Sequence, residues 1–150
     1  MREILFRGKH KATGKWCEGN LNIDKQGVAI ITPDDTPIGC YGQVDPNTVG
    51  QFTGLTDKNG TKIFEGDIVE FEDTGEDGFE YSEGFDFRNR AVVVWNNGRW
   101  ELDEYASDNS GVADDMMYCH DDFISVFEFQ SWVIGNIHDN PELMEMNDNE

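Results

Sequence analysis

Thirty-one Asp and Glu against 11 Lys and Arg give this 150-residue chain a net charge of −20, which disfavours direct binding to a nucleic-acid backbone. The length fits one domain or two small β units sharing a core, and burial of about 68–70% of the unfolded surface needs no staples. No stretch reaches the ~18 apolar residues of a membrane span, and Met1 to Lys9 has no apolar core of signal-peptide length. Cys17, Cys40 and Cys119 stand at unrelated spacings, which predicts reduced thiols in a cytoplasmic setting.

Ten Phe and four Trp in short runs, punctuated by 16 Gly, predict an all-β, β-rich protein. Ile4 to Arg7 reads as the first strand, Gly8 to Gly14 as a basic turn, and Trp16 to Leu21 as the returning strand. Asp24 to Gly27 turns into a third strand, Val28 to Ile31. Pro33, Pro37 and Pro46 with Gly39 and Gly42 predict an irregular loop over 32–47. Strands follow on each side of Asp57-Lys58-Asn59-Gly60, whose Asn-Gly pair suits a type I′ turn with positive φ at both residues. Glu65-Gly66-Asp67 is a second turn, and Ile68 to Phe71 runs on as a strand.

Residues 72–89 mix acids, Gly and aromatics without period and read as a long loop or mobile hairpin tip. Arg90 to Trp95 is the clearest strand, with Ala91 to Val94 buried on both faces. Asn96-Asn97-Gly98 turns it back into Arg99 to Leu102. Residues 103–122 are polar and acidic, with a helical turn at Met116 to Tyr118. Phe123 to Phe129 and Trp132 to Ile137 are the last strands. Asn140 suits a helix N-cap and Pro141 the first helical position, so a short helix should begin at Pro141 and run to Met146 before a frayed tail, 147–150.

Charge divides the chain. Residues 1–64 hold eight Lys and Arg against seven acids, a net of +1, and residues 65–150 hold three against 24, a net of −21. The second half therefore suits a partner with a basic face better than DNA, and the alternative role of the charge is to keep the protein soluble. The modest basic cluster at Arg7, Lys9, Lys11 and Lys15 is the one feature that works against this.

The search for chemistry finds no catalytic, cofactor or metal set. Asp57 to Thr61 begins like a calcium loop, but the twelfth position is Ile68 instead of Glu. Cys119-His120-Asp121-Asp122 collects ligand types without a second pair at zinc spacing, and its acidic neighbours do not activate a thiol. Gly50-Gln51-Phe52-Thr53-Gly54 lacks the Lys and helix of a phosphate loop, so its glycines mark a bulge or close crossing. His138-Asp139 are adjacent and point apart on an extended chain. Gln51, Thr53, Asn136 and His138 are the candidate interaction residues, with hydrogen bonding of buried backbone as their alternative role.

Four words in order carry a resemblance. Arg2 to Lys9 with Gly14-Lys15-Trp16, then Val49 to Leu55 with Asp57 to Gly60, then Phe64 to Val69, then Val133 to Leu143, make the chain similar to the YopX proteins of phages and prophages. The acidic segments 72–89 and 103–122 depart from that pattern. The resemblance implies phage or prophage origin and an N-terminal β unit (1–55) packed on an SH3-like barrel (62–140), followed by a short helix and tail (141–150). It supplies no catalytic residues. The expected function is that of a non-enzymatic accessory module, without cofactor, binding a host or phage protein. The alternative is an acidic nucleic-acid mimic that occupies a basic DNA-binding protein.

Overall fold

A computed structural model of the chain describes residues 3–34, 42–73, 87–107 and 131–145. The protein is all-β, with two antiparallel sheets that belong to two compact units. The first unit is Met1–Leu55 with Lys62–Glu65, and the second is Thr56–Thr61 with Gly66–Glu150.

In the first unit, β1 (Phe6–Lys9), β2 (Trp16–Ile23), β3 (Ala29–Thr32), β4 (Gly42–Val44), β5 (Gly50–Thr56) and β6 (Lys62–Phe64) form one sheet. Their order is β4-β3-β2-β1-β5-β6. Alternation along β3 turns Ala29 and Ile31 inward, and both are fully buried. Burying a side chain such as Ile31 is worth about 1.5–3 kcal/mol. β4 pairs with β3 through Ala29↔Val44, and a bridge from Val44 to His10 brings it to the end of β1. Lys11 N–H donates to the Gln43 carbonyl at 2.9 Å, and Asp45 N–H to that of Lys9 at 2.8 Å. Strands β1–β4 thus close around Ala29, Ile31 and Val44, with Phe6, Cys17, Leu21 and Val49 packed against them.

That closure corrects two expectations. Gly8 lies inside β1 instead of starting a turn, because a Cβ there would stand 2.9 Å from Val44 Cγ2 and 3.2 Å from Ile31 Cδ1. Glycine is present for close approach, and the strand begins at Phe6, two residues later than the hydrophobic run suggests. The proline-containing span 32–47 is likewise not all irregular. It contains β4 and the start of a 3-10 turn, Pro46–Thr48, capped by Asp45 Oδ1 accepting from Asn47 N–H at 3.0 Å. Thr48 Oγ1 then accepts from Lys9 N–H at 2.9 Å, which joins the turn to β1. Both features depend on β1 and β3, remote in sequence, to supply hydrogen-bond partners. Residues 35–41 lie outside the described residues.

The second unit holds β7 (Asp67–Asp73), β8 (Phe87–Asn96), β9 (Arg99–Ser107) and β10 (Ser131–Asn136), in the order β10-β7-β8-β9. Ile68, Val69, Phe71, Ala91, Val92, Val93 and Leu102 are buried, so β7 and β8 are covered on both faces as the apolar run Ala91 to Val94 implies. Val94 itself is only partly buried. β8 starts at Phe87 and β9 reaches Ser107, so the ends of the acidic segments are strand: Glu72 pairs with Arg88, and Asp73 with Phe87. The long-loop reading of 72–89 and the non-strand reading of 103–122 are corrected to that extent. Residues 74–86 and 108–130 lie outside the described residues, and with them fall the Met116 to Tyr118 turn and the Phe123 to Phe129 strand.

The two Asn-Gly turns differ. Asn97 (φ 52°) and Gly98 (φ 77°) both adopt positive φ between the paired Asn96 and Arg99, so this is the two-residue type I′ hairpin. At the other turn only Gly60 (φ 83°) is positive. Gly60 N–H donates to the Asp57 carbonyl at 3.0 Å and Asp57 N–H to that of Thr61 at 2.8 Å. That is a three-residue loop ending in a left-handed glycine, so the type I′ assignment at Asn59-Gly60 is overturned. The cause is Asp57, whose Oδ1 accepts from Asn59 N–H at 2.8 Å and from Thr61 N–H at 2.9 Å, holding Asn59 out of positive φ.

At the end of the chain, Pro141–Met144 form a single 3-10 turn, and Asn140 makes no side-chain cap. Its Oδ1 accepts instead from Asn136 N–H at 3.4 Å, facing back toward β10. The short helix is present but tighter and shorter than expected, and the tail 146–150 lies outside the described residues.

Candidate functional site

The four candidate residues fall into two pairs. Gln51 and Thr53 lie on β5 in the first unit, while Asn136 and His138 share one turn in the second. Gln51 contributes its backbone carbonyl, which accepts from Glu65 N–H at 3.0 Å. Thr53 is buried, and its Oγ1 donates to the Ile63 carbonyl at 2.9 Å while accepting from Leu55 N–H at 3.1 Å. Gly54, the next residue, takes a positive φ of 90°. Asn136, also buried, accepts through Oδ1 from the N–H groups of His138 (3.0 Å) and Asp139 (2.9 Å) and donates through Nδ2 to Asp139 Oδ2 (3.2 Å). Each of these contacts satisfies a turn or a strand end.

Gly50 and Gly135 stand beside these residues where no side chain fits. A Cβ on Gly50 would meet the Glu65 carbonyl oxygen at 2.6 Å, and one on Gly135 would meet Asn140 Oδ1 at 2.5 Å. Burial pushes the nearby Glu65 carboxyl above the ordinary glutamate value.

Asp57 is the residue that sequence reasoning undervalued. Beyond its own turn, its Oδ2 accepts from Val133 N–H on β10 at 3.0 Å, while Lys58 N–H donates to the Ser131 carbonyl at 3.2 Å. Lys58 Nζ also stands 5.3 Å from the Trp132 ring centroid. One carboxylate thus joins segments 76 positions apart within the second unit.

Arg7 and Lys9 of the basic cluster, joined by Lys62, form a stack of alternating cations and rings on the first unit. The Arg7 guanidinium lies 4.6 Å from the Trp16 centroid and 4.8 Å from that of Phe64. Lys9 lies 5.8 Å from Trp16, and Lys62 lies 5.5 Å from Phe52, whose ring is tilted against Phe64 at 5.6 Å. This arrangement covers the Leu5–Phe52–Phe64 cluster. Arg7 and Lys9 are therefore engaged with this chain's own aromatics, each contact worth about 0.5–1 kcal/mol where partly exposed.

A second aromatic feature sits at the tip of the β8–β9 hairpin. Trp95 and Trp100 are directly opposite each other, edge to face, with centroids 4.9 Å apart, and Trp95 is 52% exposed. The signal was present in the sequence as two Trp placed symmetrically about Asn97-Gly98. On the opposite face Arg99 Nε and Asn96 Nδ2 hold the buried Glu101 carboxylate at 2.7 and 3.1 Å. Among the described residues no group of three or more His, Cys, Asp or Glu could hold a metal ion, and no helix is long and apolar enough to cross a membrane. Cys17 is a free thiol against the first core, whereas Cys40 and Cys119-His120-Asp121-Asp122 lie outside the described residues.

Fold and residues together define an all-β protein of two small units whose polar words are committed to turns and strand ends. Among solved structures, the chain is similar to protein EF1440 from Enterococcus faecalis, known from a crystal structure. The two share 24% identity and a TM-score of 0.55, over 97% of this chain and 100% of that one, a likeness of fold. Among curated proteins no relative matches. The model of the family described as YopX protein matches residues 5–145, and the chain belongs to that family.

Proposed function

We propose that this is a non-enzymatic accessory protein of phage or prophage type, acting in the cytoplasm of a bacterial host and binding a host or phage protein with a basic face. The observation that carries the reading is the charge division: 24 acids against three bases in residues 65–150, a net of −21. Such a field steers and orients a basic partner and repels a phosphate backbone. The reading gains support from the commitment of Thr53, Asn136 and Asp57 to backbone hydrogen bonds, which leaves them poorly suited to catalysis. The SH3-like reading of the second unit is what the family resemblance implies, and the antiparallel order β10-β7-β8-β9 with its tight hairpin at Asn97-Gly98 is compatible with it.

The test is capture from host lysate on the immobilised chain, at about 0.05 M and about 0.5 M salt, with partners identified by mass spectrometry; the Debye length is ~10 Å at 0.1 M. A basic protein retained at low salt and released at high salt is the expected result. If that protein binds DNA and duplex DNA displaces the chain from it, the mimicry alternative becomes the specific mechanism. Tight, salt-sensitive binding of the chain itself to duplex DNA, competed by heparin, overturns the reading and transfers function to the basic stack of the first unit.

A further inference from the structure

We propose that the Trp95–Trp100 pair at the tip of the β8–β9 hairpin is a docking surface for arginine- or lysine-bearing segments of a basic protein partner. The inference rests on the basic-partner reading above and assigns it a place. The other two tryptophans set the pattern, since each faces a cation of this chain: Trp16 faces Arg7 and Lys9, and Trp132 faces Lys58. Trp95 and Trp100 face each other, and among the described residues no cation stands over either ring. An edge-to-face pair covers one ring's face and leaves the edge-on ring's own faces available. Trp95 is more than half exposed, which is unusual for the largest side chain, and Trp is the residue most enriched at binding hot spots.

Three observations fit this surface to a cationic occupant. The hairpin closes in a type I′ turn, and the Arg99–Glu101–Asn96 cluster ties its two strands together on the other face. The one cation at the tip, Arg99, is held by Glu101 at 2.7 Å. The segment that carries the pair bears a net charge of −21, so a basic chain is drawn to it and a ring face receives the side chain on arrival. Val93 and Leu102, next along the same face, are buried, so the pair extends an apolar core face outward to the hairpin tip.

The experiment titrates the full chain with a hexa-arginine peptide, with hexa-citrulline as the uncharged isostere, while following the four indole N–H resonances. The expected result is that Trp95 and Trp100 shift, Trp16 and Trp132 do not, and hexa-citrulline has no effect. Trp95→Leu, which keeps apolar bulk without a ring, should weaken binding about two- to five-fold, whereas Trp95→Phe should stay within about two-fold of wild type. The resonance map on the wild-type chain decides the site even if a variant fails to fold. Binding that shifts Trp16 or Trp132 instead, or that Trp95→Leu leaves unchanged, overturns the docking surface while the basic-partner reading stands. No binding of hexa-arginine at low salt overturns both.

Discussion

Asp57→Asn and Asp57→Ala test the claim that a single carboxylate holds the first Asn-Gly turn against β10. Oδ1 accepts from Asn59 and Thr61 at 2.8 and 2.9 Å, and Oδ2 accepts from Val133 at 3.0 Å. Hydrogen bonds to a charged group contribute roughly 1.5–3 kcal/mol each where water cannot replace them. Asn59 and Thr61 are exposed, so their N–H groups recover much of that from solvent, while Val133 N–H lies within a strand and recovers less. Asp57→Ala should therefore cost about 2–4 kcal/mol, or roughly 6–12 °C in Tm at ~3 °C per kcal/mol for a chain of this size. Asp57→Asn keeps an acceptor for the turn but sets an NH2 group against Val133 N–H, and should cost about 1–2 kcal/mol. Urea denaturation gives the two values, and amide hydrogen exchange at Val133 localises the loss. The reasoning is refuted if Asp57→Asn unfolds within ~0.3 kcal/mol of wild type and Val133 exchanges as slowly as before.

Gly60→Val should cost about 1–2 kcal/mol for conformation alone, since φ is 83° and nothing stands within 4 Å of its would-be Cβ; an unchanged Tm would reject the left-handed assignment. Gly8→Ala should cost about 1–3 kcal/mol for the opposite reason, the clash with Val44 and Ile31, and Val44→Ala in the same chain should recover part of it by denaturant titration. Glu65 has a folded pKa above its unfolded value because burial penalises its charge, so the folded state holds the proton more tightly. Its contribution to stability is then least unfavourable in acid and falls as pH rises from the unfolded value through the folded one. Glu65→Gln should raise Tm at pH ~7 and leave it nearly unchanged at pH ~4, and an equal effect at both would discard the desolvation argument. Thiol titration of the chain purified without added metal should count three reactive groups after denaturation, and stoichiometric zinc by elemental analysis would contradict the reading of Cys119-His120 as a structural loop.

What the amino-acid sequence determined by itself is local. Runs such as Ala91 to Val93 form strands buried on both faces because β-branched and small apolar residues suit a pleated, doubly covered ladder. Asn97-Gly98 makes a type I′ hairpin because its two residues tolerate positive φ and nothing else competes for the turn. The order of hairpins and the all-β class followed from such signals, and so did the close approach at Gly50.

The tertiary structure decided whatever depends on a partner distant in the chain. Asn59-Gly60 carries the same dipeptide as Asn97-Gly98 yet adopts a different turn, because the Asp57 side chain bonds the turn's amides and a strand amide 76 positions away. Gly8 reads as a breaker until β4 lies across it, and β4 itself forms only because β3 and His10 offer it hydrogen bonds. Asn140 has the chemistry of a helix cap but turns back to Asn136. For the candidate residues, the sequence located polar groups in structural words, and packing assigned Thr53 and Asn136 to buried backbone. A buried backbone group must find a partner, and which side chain supplies it is set by three-dimensional proximity that no local pattern encodes.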